Sequence, residues 1–325
     1  MAVGGSTGTL GWPHCRTGGE EFEYDLSGYI GIMLKKLQTI GLTYLASWFP
    51  DFFWHRYGRQ ARKLGLKRLY LILSFDCDTP EDIKAAEQVD GWLDRHGIKR
   101  TYAVPGEQLE QGAIVYRRLA EKGAHFINHG ASSHTEWREN RYWSVNFYNK
   151  KSYKEIREDI QYGHETIERV IGRSPNGFRT PHFGLFQAPE QLKMLHSILK
   201  ELNYRYSTST VPYFGFYHGP IWNMDGFYEI PLSGSYHSFL SLLDSWSYIT
   251  DPYQPMVQDR YANSLITTVE RLLAMGVYGV LNYYVDPFHV YRSHTFFNAL
   301  EFILERQIPT LHYEELLGLA GEQKY

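Results

Sequence analysis

The sequence predicts an α/β barrel, and two observations carry the prediction. From Tyr70 onward, short runs of β-branched and aromatic residues alternate with stretches of helical periodicity, the pattern of βα units joined into a parallel sheet. Seven or eight such repeats follow one another, which favours closure into a barrel over an open sheet. With 325 residues, 43% hydrophobic and 16% aromatic, the chain has the apolar material to fill a core of that size.

The strand patterns fall at 70–75, 100–104, 125–128, 177–180, 204–208, 228–232, 279–285 and 310–313. Helical patterns lie between them at 81–96, 108–122, 153–171, 189–202, 257–275 and 295–306. Residues 1–65 carry helical patterns without strands and read as an N-terminal helical extension to a barrel over 66–325. The long segment 211–255 is aromatic and rich in Gly and Pro, the composition of loops that wall a site.

A formal charge of −3 and basic residues scattered outside 55–67 leave no nucleic-acid footprint. Cys15 and Cys77 are too few for a disulfide scaffold or a cysteine-rich zinc site and suit a reducing compartment. The first 25 residues lack the basic start and apolar core of a secretory signal, so a cytoplasmic location is expected. The apolar stretch 40–54 is broken by Pro50 and Asp51 and is shorter than the roughly 20 residues of a membrane span. The wider segment 29–68 mixes apolar, aromatic and basic residues. It suits either peripheral contact with the inner membrane face or a packed helical extension, and packing is the commoner use.

The chemistry concentrates in "LYLILSFDCDTPED", residues 69–82. Side chains alternate across a strand, so Ser74, Asp76 and Asp78 share one face and Phe75 and Cys77 the other. Thr79, Pro80, Glu81 and Asp82 are helix-start residues, which ends the strand at the two acids. In a βα barrel that end is the active-site face. Two adjacent carboxylates repel, so the pair needs a cation, a shared proton or solvent, and a metal ion is the most economical answer. In "GAHFINHGASSH", His129 and His134 stand at i and i+5, wrong for one helical face, yet the small-residue loop between them can fold the second imidazole back. His125 and His129, at i and i+4 on one strand face, form an alternative pair.

The order of these motifs resembles the polysaccharide deacetylases, carbohydrate esterase family 4, over about residues 67–317. The family's F-D-x-D motif reads "SFDCDT", and its H-[ST]-x-x-H motif reads "HGASSH" with one extra residue between the histidines. R-x-P-[YF] appears as "FRTPHFG". The closing L-x-x-H-P motif departs: "LNYYVDPFHV" has Asp286 where the family has its histidine, with His289 three residues on.

The resemblance implies a distorted (β/α)7-type barrel and a metal-dependent hydrolase that removes acetyl from an N-acetylated amino sugar, as in surface-polysaccharide biosynthesis. It implies Asp78, His129 and His134 as ligands of a divalent ion, zinc first, with cobalt, nickel or iron as alternatives. Asp76 becomes the catalytic base. Arg179 pairs with it through two hydrogen bonds. His289 is the first candidate for the general acid, Asp286 the second and His182 the third. Pro181 and His182 line the groove, and Trp222 and Trp246 offer sugar-stacking surfaces. Removal of formyl from a sugar amine or opening of a cyclic amide would use the same chemistry. A non-catalytic carbohydrate-binding protein on a degenerate barrel is the alternative of a different class.

Overall fold

In the computed structural model, which describes residues 41–249, 251, 253 and 255–321, the apolar run that ends on the acids is strand β1 (Leu69–Asp76). The part of the extension before residue 41, with Cys15, lies outside the described residues. β1 pairs in parallel with β12 (Gly279–Val285) on one edge and β2 (Thr101–Val104) on the other. The sheet runs on in parallel through β3 (His125–Asn128), β6 (Gly177–Phe178), β7 (Tyr206–Ser207) and β9 (Phe227–Glu229). These are seven parallel strands among the described residues. β8 (Trp222–Met224) is added antiparallel beyond β9.

No ladder joins the two ends of this curled sheet among the described residues, and hydrogen bonds to Asn282 bridge them instead. Its Nδ2 donates to the carbonyls of Ile230 and Pro231 at 3.2 and 3.1 Å, and its own carbonyl accepts from Ser233 N at 2.9 Å. The outcome is the distorted (β/α)7-type barrel of the prediction.

The alternation read from β1 holds. Leu71, Leu73, Phe75 and Cys77 join the outer cluster beneath the helices, while Ile72 joins Ala103, Ile127, Tyr206 and Val280 in a second cluster on the inner face. Cys77 is fully buried, so Cys77→Ala should cost about 1–2 kcal/mol of stability. Chemical denaturation paired with metal analysis checks this, with metal content and activity unchanged.

Segment 310–313 does not form an eighth strand. β2 meets β1 only from Ser74 upward, and below it Pro309 and Leu311 hydrogen-bond to Leu71 as a single bridge. The chain then turns into the helix Tyr313–Gly321, whose Tyr313, Leu316 and Leu317 complete the inner cluster. The predicted helix 108–122 is broken at Gly112 into Gly106–Gln111 and Ala113–Glu121. A Cβ there would lie 2.6 Å from the Tyr116 ring, a contact only glycine avoids.

A boundary at residue 65 cuts through packed structure: the described chain from Leu42 belongs to the same compact unit as the barrel. Helix Pro50–Lys63 buries Phe53, Trp54 and Tyr57. The Trp54 indole donates to the Tyr236 carbonyl at 3.3 Å, and the Tyr57 hydroxyl donates to the Val280 carbonyl at 2.5 Å. Packing is therefore the use this helix makes of Phe53, Trp54 and Tyr57. Tyr44, Leu45, Trp48, Phe49 and Phe52 remain exposed. Among the described residues no helix is long and apolar enough to cross a membrane.

Candidate metal centre and active site

Asp76 ends β1, and Thr79 starts the helix Pro80–Arg95 with Pro80 in its first turn. The side chain of Asp82 accepts from Thr79 N at 2.9 Å and Thr79 Oγ1 at 2.7 Å, and this closed cap holds Asp78 at the mouth of the barrel. Two strands away, β3 ends at Asn128 and delivers His129 beside the end of β6.

His129 Nδ1 lies 2.8 Å from the Arg179 carbonyl, an acceptor only, so that nitrogen carries the proton. His129 Nε2 is left with its lone pair toward Asp78 Oδ1, at 3.6 Å, and Asp76 Oδ2, at 3.7 Å. His134 Nδ1 is 3.0 Å from Asp78 Oδ1, and its Nε2 is buried without a hydrogen-bond partner.

The extra residue between the histidines is accommodated by a stapled loop. Gly130 adopts φ +82°, and a Cβ there would meet the Asp159 carboxylate at 2.4 Å. Asp159 accepts from Ser132 N and Oγ at 3.1 and 2.8 Å and, on its other oxygen, from the Tyr148 hydroxyl at 2.7 Å. The loop so held brings His134 back to His129, ring centroids 4.3 Å apart. Asp159 is absent from the sequence prediction. The signal for it was an acid three residues after Ile156 and four before Gly163, on the buried face of helix Tyr153–Ile171.

The donor set fits a divalent cation. One atom each from Asp78, His129 and His134 lies within 4.8 Å of the others, and a carboxylate oxygen, the His134 nitrogen that faces it and the free lone pair of His129 Nε2 form a donor set that a bound metal would satisfy. His125 takes no part. It begins β3, at the far end of the strand, and stacks on His312 at 3.6 Å with Glu314 at 3.1 Å from its Nδ1.

Arg179 is fully buried and reaches Asp76, but not with the predicted pair of hydrogen bonds. One Nη donates to Asp76 Oδ1, while the other donates to Ser74 Oγ at 2.9 Å and Tyr313 OH at 2.8 Å. The fork is spread across the barrel interior because Ser74 and Tyr313 occupy the room a second carboxylate contact would need. Burial pushes the Asp76 carboxyl up to about 6, with Asp78 adding to the rise and Arg179 opposing it. Burial acts on Asp78 in the same upward sense, but the imidazoles of His134 and His129 outweigh it and hold that carboxyl well below the usual range. Burial, reinforced by His134, keeps His129 neutral, the form that ligates.

These groups open on a cavity of about 400 Å³ lined by Asp76, Asp78 and His129 together with Thr135, Ser144, His182, Phe183, Leu242, Asp244, Trp246, Ser247 and Tyr284. His182 and Trp246 line it as expected. Pro181 is buried and leaves the wall to His182 and Phe183. Trp222 lies elsewhere: on β8, the outermost strand, it stacks on His218 at 4.1 Å.

Neither His289 nor Asp286 reaches the cavity. His289 bonds Ser245 Oγ through Nδ1 at 2.9 Å and sits edge-on against the Trp246 ring at 4.6 Å, so the wall residue separates it from the space. Asp286 is 1% exposed, its backbone N–H donating to Ser245 Oγ at 3.0 Å. Burial and the charges of Asp82 and Asp78 push its carboxyl far up. Asp244, which the sequence prediction lacks, takes a place in the wall and accepts from Ser247 N at 2.7 Å and Ser247 Oγ at 3.1 Å.

The site and fold together define a seven-stranded parallel β/α barrel with a candidate Asp-His-His metal site at its carboxyl end, beside an Arg-paired acid. The polysaccharide deacetylase family model matches residues 65–207, which marks that part of the chain as a polysaccharide deacetylase domain. Among solved structures it is similar to a polysaccharide deacetylase-type protein of Mycobacterium smegmatis, 17% identical over 79% of this chain and 92% of that one, with a TM-score of 0.59. It is also similar to the PuuE allantoinase, 12% identical over 79% and 92% of the two chains, with a TM-score of 0.57. At these identities the likeness concerns the fold. No curated protein matches the sequence.

Proposed function

We propose that this chain is a metal-dependent amide hydrolase that removes the acetyl group from an N-acetylated amino sugar. The observation that carries the reading is the meeting, at one cavity, of the Arg-paired Asp76 with Asp78 and His129, which His134 completes from behind as a three-residue set of metal donors. Held by Asp78, His129 and His134, a divalent cation, zinc by the donor types, would polarise the amide carbonyl and acidify a water molecule.

The chain's own groups supply the rest. Asp76 is ionised at neutral pH, yet its raised pKa makes it a stronger base than an ordinary carboxylate, suited to taking the proton of the attacking water. Arg179 orients it, leaving Oδ2 on the side of His129. The departing amine needs a proton, and His289 and Asp286 are walled off from it. His182 is the imidazole that lines the cavity opposite. It has φ +56°, and its Nε2–H donates to the Val145 carbonyl at 2.5 Å, which fixes the ring. With Nε2–H held by Val145, the proton for the amine has to be carried on Nδ1, so we assign the donor's role to His182 in its doubly protonated form, which burial and the neighbouring His134 disfavour in the free protein.

Acetate release from a panel of N-acetylated saccharides by zinc-loaded protein tests the reading, and the absence of acetate from every member would sink it. The donor has its own test. His182→Ala should slow amide hydrolysis by about 10²-fold or more while sparing an activated acetate ester, whose leaving group departs without a proton. Equal loss on amide and ester would remove His182 from that role.

A further inference from the structure

After His134 the chain does not pass straight to the next barrel helix. It forms a two-stranded hairpin of β4 (Thr135–Arg138) and β5 (Arg141–Ser144), with Thr135 opposite Ser144, Glu136 opposite Trp143 and Trp137 opposite Tyr142. Thr135 and Ser144 line the catalytic cavity. Residues two positions apart share a face of a strand, so Trp137 and Tyr142 continue the cavity-lining face, about 7 Å further out.

Contacts bear out this orientation. Thr135 Oγ1 donates to the Asp78 carbonyl at 2.7 Å, and the Tyr142 hydroxyl donates to the Glu81 carboxylate, so both anchor to the segment that follows β1. Tyr142, pinned in this way, is half-buried and supports the Trp137 ring edge-on, centroids 4.8 Å apart. The Trp137 indole is 56% exposed. Trp143, on the opposite face of the hairpin, is 40% exposed and has the Arg141 guanidinium over its ring at 3.8 Å. An indole kept open to solvent on a braced support, in line with the cavity rim, is a preorganised apolar platform.

We propose that Trp137, braced by Tyr142, is a second sugar subsite that stacks on a ring neighbouring the one held in the cavity. The substrate is then an oligosaccharide or polysaccharide rather than a free monosaccharide. The step out to Trp137 is on the order of one sugar unit, so a chain seated with an N-acetyl group at Asp76 and His129 lays its next ring along the hairpin. This proposal rests on the N-acetyl-sugar reading above, and its test separates the two.

The probes are N-acetylglucosamine and its β-1,4-linked tetramer, with binding measured by calorimetry and hydrolysis by acetate release, on the full chain. The tetramer should bind more tightly than the monosaccharide. Trp137→Ala should lower the ratio of tetramer to monosaccharide kcat/KM by about 10-fold, mainly through KM, with Trp137→Phe recovering most of it. Trp143→Ala, on the far face, should leave the ratio unchanged. Loss of the ratio in Trp143→Ala as in Trp137→Ala, or equal binding of tetramer and monosaccharide by the unaltered chain, overturns the subsite. Acetate release without any length preference overturns the subsite alone. Length-dependent binding that needs Trp137, without acetate release, upholds the subsite and removes the hydrolase reading.

Discussion

Asp76→Asn should leave a folded, metal-binding protein that releases acetate at least about 10²-fold more slowly than the unaltered chain, the loss expected when a positioned general base is removed. The substitution keeps an oxygen facing the Arg179 Nη that now bonds Asp76 Oδ1, and Ser74 and Tyr313 still accept from the other Nη. It also removes the carboxylate beside a fully buried guanidinium, and breaking such a pair costs up to about 3–5 kcal/mol. Steady-state acetate release is therefore to be read together with a thermal melt and metal content. A melt still cooperative, metal still bound and activity lost would identify Asp76 as the base. Undiminished activity would remove it from that role.

The second large effect belongs to Asp78. Asp78→Ala takes away one of the three donors and the hydrogen-bond partner that holds His134 Nδ1 at 3.0 Å, so both bound metal and activity should disappear. His129→Ala should do the same, because its Nε2 is oriented toward the two acids by the Arg179 carbonyl. Elemental analysis after dialysis against excess zinc is the measurement. One metal per chain in the parent, with less than about a tenth of that in either variant, is the expected result. Metal retained in both variants would show that the cluster is not the site. No metal in the parent under any loading condition would favour a carbohydrate-binding barrel over an enzyme.

Hydrophobic patterning made the centre legible. Alternation along β1 placed Asp76 and Asp78 on one face and Cys77 on the other, and the structure buries Cys77 beneath the helices while the acids line the cavity. The bounds of β3, β12 and helix Tyr153–Ile171 follow from the same local periodicity, since each buries one face against its neighbours. The wall opposite was not legible. Within 211–255 and 281–290, aromatic and acidic residues stand close together in sequence with no period to sort them. Trp246 faces the cavity while Trp222 lies on the outermost strand, and Asp244 faces it while Asp286 and His289 stand behind Ser245 and Trp246. The spread of the Arg179 fork depends likewise on Tyr313, a residue 134 positions away.

The sequence by itself determined that two acids would share one face at the carboxyl end of β1 and that the β3 pattern would end beside His129. Strand alternation and helix-start chemistry act within a few residues, and no distant contact can reverse them without exposing the apolar face. Only the tertiary structure decided which side chains face the cavity from the opposite wall, that His134 reaches His129 across a longer loop, and that a hairpin carries Trp137 out from the rim. Those outcomes depend on long-range packing: the Asp159 staple, the bridge at Asn282 and the edge of Trp246 against His289 each join segments that one sequence window cannot relate.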